Sequence, residues 1–580
     1  MILSPIKMDP FGTVIWKLKP SAPSASELAR EAGISHLQAQ LLINRGISTP
    51  AQMTSFLNPR LGNMDDPMLM KGMPDALDII LKAVEKREKI TIYGDYDADG
   101  LTATALLLDF FSSLGLPVSF YIPNRLTEGY SLHKAAISEI AKNRTKLLIT
   151  VDCGTSNTRE TALAKSLGIN VVVTDHHQIP EDFRPQCPVV NPQQPGCPFP
   201  FKNLSGVGLA FFLTVAVRTA LRGKGWFRTM SEPDLRKYLE LVALGTVADR
   251  VPLLDQNRIL VHHGIGAMAE SRWPGITAMK EVAGIEDARI TADDLAFRLG
   301  PRLNAPGRMG DSHTGLKALI ARDPILSRDL ALRLNAANNE RQSVEQDILH
   351  QIEGVIEKNE DVTDSRTFVV AGENWHRGVL GIVASRLVDK YHRPSLVFSL
   401  QGDMAYGSGR SIEGFNLYKA LSRLGPLFEK FGGHAHAAGF TLKAENLNTL
   451  KNELESLALK TLRYSDMVPV LEVDGEIPID NITPEIVHQI GELSPFGEAN
   501  PEPFFYAGPC AVLESRIVGE RHLKLRVRQR KRIYEAIGFG MAEKHPLEGT
   551  TINMIFTPEL NHWQGYEKIQ LRIADIAINK

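Results

Sequence analysis

The sequence predicts a multidomain α/β protein: a parallel sheet wrapped by helices, a long helical connector, a smaller α/β domain and a C-terminal β-barrel. Three observations predict it. Between residues 81 and 174, short β-branched runs alternate with amphipathic helical stretches, the pattern of repeated strand–helix–strand units. Over residues 325–358 a segment rich in Leu, Ala, Glu and Arg has little Gly or Pro, as a helix bracing two lobes across a cleft would. After about Tyr464, short strand-like runs broken by turns are spaced as in a small barrel. With 580 residues, the chain exceeds what one hydrophobic core supports.

Residues 1–70 read as short helices and loops around Pro20, Pro23, Pro50 and Pro59, an N-terminal cap. Residues 71–255 carry strands at 89–93 (KITIY), 118–122 (VSFYI), 146–151 (KLLITV) and 169–174 (INVVVT). Helices near 101–114, 131–142 and 157–167 lie between them, and two more follow at 207–222 and 232–244. Residues 256–360 form the connector. A second alternating region at 361–462 has strands near 367–370 and 395–399, and the barrel occupies 463–580, with runs such as 469–473 and 510–518.

Bulk composition narrows the function classes. Hydrophobic content of 43% and charged content of 23% are those of a globular protein. The 4 cysteines, Cys153, Cys187, Cys197 and Cys510, form no CxxC pair. Neither a structural zinc site nor a disulfide framework is indicated, and a cytoplasmic location is expected. The first residues lack the charged-then-apolar run of a signal peptide. The longest apolar stretch, 207–217, is too short to span a bilayer and is closed by Arg218, so no membrane association is expected. Net charge is −2. That argues against charge-driven binding over the whole surface, but a local basic groove can still hold a polyanion.

The chemistry sits at strand ends. Tyr93-Gly-Asp95-Tyr-Asp97-Ala-Asp99-Gly100 follows the first strand and precedes a helix. Three acids in five residues repel one another unless a cation sits among them. The opening matches a calcium loop of the EF-hand type, but its twelfth position, which needs Glu, is Leu106. KLLITV then ends in Asp152-Cys-Gly154, INVVVT ends in Asp175-His176-His177, and Asp249 follows the helical run LVALGTVA. One strand-end Asp is commonly a cap. Three strands ending in acids or histidines at the edge where α/β sheets bind ligands point to a shared metal centre. Oxygen and imidazole ligands without sulfur favour Mn²⁺ or Mg²⁺ over zinc.

The ordered set DxD, D-C-G, D-H-H and G-T-V-A-D resembles the signature of the DHH phosphoesterase superfamily. Further motifs resemble its RecJ branch. Arg302-Leu-Asn304-Ala-Pro-Gly-Arg308 is similar to that branch's R-L-N-A-x-G-R element. The stretch from Trp375 to Arg386 (WHRGVLGIVASR), Gly407-Ser408-Gly-Arg410-Ser411 and Gly432-Gly433-His434 resemble the DHH-associated domain, and the tail resembles an OB-fold. The resemblance spans residues 70–575. It implies a two-metal phosphodiesterase in which Asp97 holds one metal, Asp99, His176 and Asp249 the other, and Asp152 bridges them. His177 then faces the scissile phosphate and Asp175 orients the histidines. Many members carry His four residues before the equivalent of Asp97; here that position is Tyr93, which implies a more loosely bound first metal.

The resemblance also implies terminal-phosphate contacts for Arg125, Ser408 and Arg410, and places His434 near the reacting phosphate. In GSGRS the small residues let backbone amides approach an oxyanion while Arg supplies a bidentate clamp. Arg302 and Arg308 are candidates for further phosphates, and Asn304 for a structural role. In the tail, Lys524, Arg526 and Arg528 alternate with Leu523, Leu525 and Val527, placing three cations on one strand face. The alternative there is an edge strand protected by charge. Tyr534, Trp563 and Tyr566 are candidate stacking surfaces for bases or members of the barrel core.

The implied activity is 5′→3′ hydrolysis of single-stranded DNA to 5′ mononucleotides in DNA repair and recombination. A monomer is expected, with a single-strand-binding protein and a helicase as partners. Two rivals share the fold: an oligoribonuclease or nucleotide phosphatase, and a non-catalytic replication scaffold. The first usually lacks the barrel, and the second loses the ligands that are present here.

Overall fold

The computed structural model describes residues 2–3, 14–181, 183–285, 290–356, 365–563 and 566–579. The chain divides into two compact units, residues 58–343 with 495–501, and residues 1–57 with 344–494 and 502–580.

The first unit is built on a five-stranded parallel sheet. Its spatial order is Val118–Tyr121, Ile90–Gly94, Leu147–Val151, Asn170–Thr174, Val189–Val190. Numbered along the chain this is 2-1-3-4-5, so the strand order reverses between Ile90–Gly94 and Leu147–Val151. Such a switch point opens a crevice at the carboxyl ends of the strands. The central strands are buried on both faces. Ile90, Ile92, Ile149 and Val151 enter one core, while Tyr93, Leu148, Val171 and Val173 enter the other. That is why these strands read as near-continuous apolar runs.

Helices Ala98–Ser113, Gly206–Gly223 and Leu239–Ala248 pack together on one side, and Lys134–Lys142 and Thr158–Ser166 meet on the other. Gly206–Gly223 is long and apolar enough to cross a membrane by length and composition alone. Here it is a core helix, buried around most of its circumference. The helix expected at 131–142 begins only at Lys134, because Ser131 is left-handed (φ 75°) and His133 is extended. The stretch expected at 232–244 splits into a 3₁₀ turn, Leu235–Tyr238, and the helix Leu239–Ala248, which delivers Asp249 at its C-cap.

The expected connector is the 33-residue helix Pro324–Ile356; residues 357 and 358 lie outside the described ones. In the second unit a mixed sheet has the order Phe428–Gly433, Ala437–Lys443, Met404–Arg410, Ser395–Gln401, Phe368–Glu373. Only the last pair is parallel. The C-terminal strands close into a five-stranded barrel: Phe505–Val518, His522–Gln529, Arg532–Gly538, Tyr566–Ile578, Thr551–Trp563, and back to the first.

The N-terminal residues are more integrated than a cap. Ile15–Leu18 pairs in parallel with Val470–Val473, and Trp16 Nε1 donates to Asp575 Oδ2 at 2.8 Å. A strand supplied from the far end of the chain left no periodic signal long enough to read.

Candidate metal centre

Two local devices shape the loop after Ile90–Gly94. Asp97 is the N-cap of Ala98–Ser113, its carboxylate accepting from the amides of Asp99 (3.0 Å) and Gly100 (3.1 Å). Asn304 Oδ1 accepts from the Ala98 amide at 2.7 Å, so the RLNAPGR element pins the start of the same helix. Asp99 lies inside the first turn. Its carboxylate accepts from the amides of Gly206 (2.6 Å) and Val207 (2.8 Å), at the N-terminus of Gly206–Gly223. Free amides and the helix dipole both favour an anion there. Gly206 is required by this approach, since a Cβ on it would stand 2.7 Å from Asp152 Cβ.

Asp152 ends its strand with φ 60°, a left-handed conformation rare for a residue with a side chain. Strain of this kind concentrates at functional sites. His176 Nε2 stands 3.0 Å from Asp152 Oδ1, 3.6 Å from Asp249 Oδ2 and 3.9 Å from Asp99 Oδ2. His177 Nδ1 is 2.8 Å from Asp175 Oδ1, and Asp175 Oδ2 accepts from the Thr155 amide at 2.9 Å.

Three groups of potential ligand atoms result, each within 4.8 Å: Asp99, His176 and Asp249; Asp95, Asp97 and Asp152; and Asp152, His176 and His177. The five expected metal residues therefore converge, and Asp152 is shared between groups. In the sequence, the triple-acid spacing is the only signal that Asp95 carries. Asp95 Oδ1 is buried without a hydrogen-bond partner among the described residues, as expected of an atom meant for a cation. Cys153 is turned into the core. Oxygens plus one imidazole therefore fit a hard divalent cation.

Electrostatics agree. Burial, then the charge of Asp97, raises Asp99 to about 7. Burial, then neighbouring acids, holds Asp95, Asp152 and Asp249 well above the usual carboxylate range. A divalent ion relieves that repulsion. Burial and the charge of His177 bring His176 down to about 4, leaving its imidazole neutral near pH 7. Burial opposes the charge on His177, but the hydrogen bond and charge of Asp175 win and raise it to about 9. Burial likewise works against ionised Asp175, yet His177 brings it well below its ordinary value.

Tyr93 does not join these groups. It is fully buried, stacked on Tyr121 at 5.3 Å, and its hydroxyl donates to the Ser131 carbonyl at 2.8 Å. Near the cluster, the Arg125 guanidinium lies over Tyr96, 5.0 Å from the ring centre, and Arg308 also lies within electrostatic reach of Tyr96. Arg302 is engaged by the Arg298 carbonyl (2.7 Å) and Asn335 Oδ1 (3.1 Å), which ties its helix to Pro324–Ile356.

In the second unit Ser408 and Arg410 leave the sheet on Met404–Arg410. Arg410 Nη1 donates to Ser408 Oγ (3.3 Å) and the Gly409 carbonyl (2.9 Å). A Cβ on Gly381 would lie 3.1 Å from both Arg410 Nη2 and Ser408 Oγ, so the WHRGVLG and GSGRS motifs form one surface. His434 is exposed and accepts through Nδ1 from the His436 amide at 3.4 Å. Partial desolvation of the ring, then the charges of His436 and Arg410, lowers its pKa. His436 was not anticipated.

On the barrel, Leu523, Leu525 and Val527 are buried and Lys524, Arg526 and Arg528 face outward. The strand is internal, flanked by Phe505–Val518 and Arg532–Gly538, so edge protection does not explain the cations. Lys524 pairs with Glu535 at 2.6 Å and Arg526 with Glu514. The Tyr534 hydroxyl donates to the Ile482 carbonyl at 2.9 Å. The side chains of Trp563 and Tyr566 lie outside the described residues.

Comparison with known proteins accounts for each part. Residues 89–246 match the DHH family, N-terminal domain, residues 364–460 the DHHA1 domain, and residues 473–575 the RecJ OB domain. The single-stranded-DNA-specific exonuclease RecJ of Bacillus subtilis is 35% identical over 572 residues, covering 97% of this chain and 71% of that protein. The crystal structure of RecJ in complex with Mn²⁺ from Thermus thermophilus superposes with a TM-score of 0.83 at 27% identity, over 97% of this chain and 80% of that one. Its Mg²⁺ complex superposes with a TM-score of 0.77 at 27% identity, covering 97% and 78%. With all three domains in order and 35% identity over nearly the whole chain, the chain belongs to the RecJ family.

Proposed function

We propose that this chain is a metal-dependent exonuclease specific for single-stranded DNA, acting in DNA repair and recombination. The observation that carries the reading is the convergence of Asp95, Asp97, Asp99, Asp152, His176 and Asp249 at the end of a parallel sheet, in a chain similar to RecJ proteins over nearly its whole length. A scaffold would not need this ligand set, and the barrel sets the chain apart from shorter enzymes that share the fold.

The ligands divide into two positions. Asp99, His176 and Asp249 form one; Asp97 and Asp152, with Asp95 beside them, form the other, and Asp152 serves both. Because Tyr93 is committed to Ser131, the second position offers carboxylates alone and holds its ion more loosely. When bound, divalent ions such as Mn²⁺ or Mg²⁺ supply Lewis acidity at a phosphodiester and make water a competent nucleophile near neutral pH.

The rest is done by the chain. Asp175 keeps His177 oriented and charged, so His177 presents a cationic donor to the scissile phosphate. Arg308 offers charge for an adjoining phosphate, and Arg302 braces the helix that carries Arg308. On the family resemblance Arg125, Ser408 and Arg410 take the 5′-terminal phosphate, which gives 5′→3′ polarity and 5′ mononucleotides, and His434 serves the reacting phosphate. Lys524, Arg526 and Arg528 hold the strand further along. Single-strand-binding protein and a helicase as partners, and action as a monomer, belong to this proposal on family resemblance alone. The reducing cytoplasm suits the four free cysteines. The decisive experiment incubates end-labelled single and double strands with Mn²⁺ or Mg²⁺. Progressive release of mononucleotides from the 5′ end of single strands alone is expected; internal cuts or no cleavage would refute the reading.

A further inference from the structure

The loop 124–131 is held more firmly than a surface loop needs. Asn124 Oδ1 accepts from the amides of Leu126 (3.0 Å) and Thr127 (3.2 Å). Glu128 accepts from the Asn124 amide (2.6 Å) and the Tyr121 hydroxyl (2.7 Å). At its end Ser131 takes a left-handed conformation, φ 75°, its hydroxyl donates to Asn157, and its carbonyl receives the Tyr93 hydroxyl from the core.

What the loop delivers is Tyr130. Its hydroxyl stands 3.2 Å from His177 Nδ1 and 3.4 Å from Nε2, and donates to the Asp152 carbonyl at 3.2 Å. With its proton donated to the Asp152 carbonyl, the hydroxyl oxygen is left as an acceptor beside the imidazole. The Tyr130 and His177 rings are 5.6 Å apart and tilted. Asp175 Oδ1 and the Tyr130 hydroxyl both hold the imidazole, the nearer Tyr130 contact being to the same Nδ1 that Asp175 engages.

We propose that Tyr130 is a positioning residue that fixes the His177 imidazole, and that Tyr93 keeps Tyr130 in place through the Ser131 carbonyl. Tyr93 thereby serves the centre without joining its candidate ligand groups. Tyr93 is fully buried, so its hydroxyl must be satisfied inside the fold; the Ser131 carbonyl is its nearer partner, with His133 Nε2 at 3.4 Å, and fixing Ser131 fixes its neighbour. The inference rests on the role given above to His177.

Tyr93→Phe and Tyr130→Phe keep the rings and remove one oxygen each. Losing one hydrogen bond is expected to lower kcat roughly fivefold in Tyr130→Phe and about threefold in Tyr93→Phe. KM and calorimetric Mn²⁺ affinity should stay within about twofold, because no ligand or phosphate contact changes. In a relay the double variant is no slower than Tyr130→Phe; independent effects multiply. In the Mg²⁺-loaded full chain with ¹⁵N-labelled histidine, the His177 ring signals shift in both variants. An unmoved His177 signal in Tyr93→Phe, or a double variant whose loss is the product of the two, overturns the relay. His177→Ala is measured beside them. If it leaves kcat unchanged, the role of His177 is wrong; if it falls and Tyr130→Phe does not, only the positioning fails.

Discussion

Asn304 and Ala98 are 206 positions apart, yet the Asn304 carboxamide accepts the Ala98 amide at 2.7 Å. That bond satisfies one of the open donors at the helix N-terminus, directly between Asp97 and Asp99. Asn304→Ala is expected to cost about 1–2 kcal/mol of stability and to raise the Mn²⁺ concentration needed for half-maximal activity. Thermal unfolding and a metal titration check this; an unchanged titration midpoint would confine Asn304 to folding.

Asp152 belongs to two of the three candidate ligand groups, and its left-handed backbone is held by the fold. Asp152→Ala should reduce cleavage by several orders of magnitude while binding of single strands survives. Retention of near-normal turnover would remove Asp152 from the centre. Asp95→Ala should have a milder effect that excess Mn²⁺ partly repairs, since Asp97 and Asp152 remain.

These residues mark where the sequence was legible. The strand ends stood out because buried parallel strands are continuous apolar runs, and a charge that follows one is conspicuous. Asp95 went unassigned because ligand roles came from motif matching, which does not see its buried, unpartnered oxygen. The orientation of Tyr93 depends on which sheet face it enters and on a loop 38 residues away. The alternation of cations on residues 522–529 was readable from period two alone. Their pairing with Glu514 and Glu535 is set by strand register, which a single strand does not encode. Ile15–Leu18 was missed because its partner strand lies more than 450 residues away.

Away from the site, Asp109 bonds the Tyr238 hydroxyl (2.9 Å) and Lys237 (2.5 Å) and pairs with Arg322. Burial pushes its pKa up, but Lys237, Tyr238 and Arg322 together carry it below its ordinary value. A depressed carboxyl contributes stability above its unfolded pKa of about 4, and loses it as pH falls toward the folded one. Asp109→Asn should therefore be less stable than the parent at pH 7, with the gap narrowing below about pH 4. A gap that stays constant with pH would show that packing, not charge, is what Asp109 supplies.

Lys524 and Arg526 already face Glu535 and Glu514, so part of their charge is neutralised before any strand binds. Arg528 stands opposite Ala511 and Ile533. Arg528→Gln should lower the salt slope of single-strand binding by roughly 0.7 log units per log salt, the value for one lost phosphate contact. Lys524→Gln and Arg526→Gln should each lower it less. Equal effects of all three would mean that the acids swing away on binding; no effect of any would remove this face from the DNA path.

Arg410→Ala should damage recognition of the strand's terminus. Arg410 and Ser408 form a donor pair packed over Gly381, which leaves room for both side chains, and His434 and His436 add imidazoles nearby. A terminal phosphate carries more negative charge than an internal diester, and a guanidinium presents a bidentate fork to it. An exonuclease needs such a block, because a path open at both ends would be cut anywhere along the strand. Losing one charge-assisted contact costs roughly 1.5–3 kcal/mol, about a ten- to hundredfold loss in kcat/KM. The loss should be largest on strands with a 5′-phosphate and small on strands ending in a 5′-hydroxyl. Arg410→Lys keeps the charge without the fork, and should fall between the two on 5′-phosphorylated strands. Equal losses on both ends would assign Arg410 to an internal phosphate and leave the end sensor to be sought elsewhere.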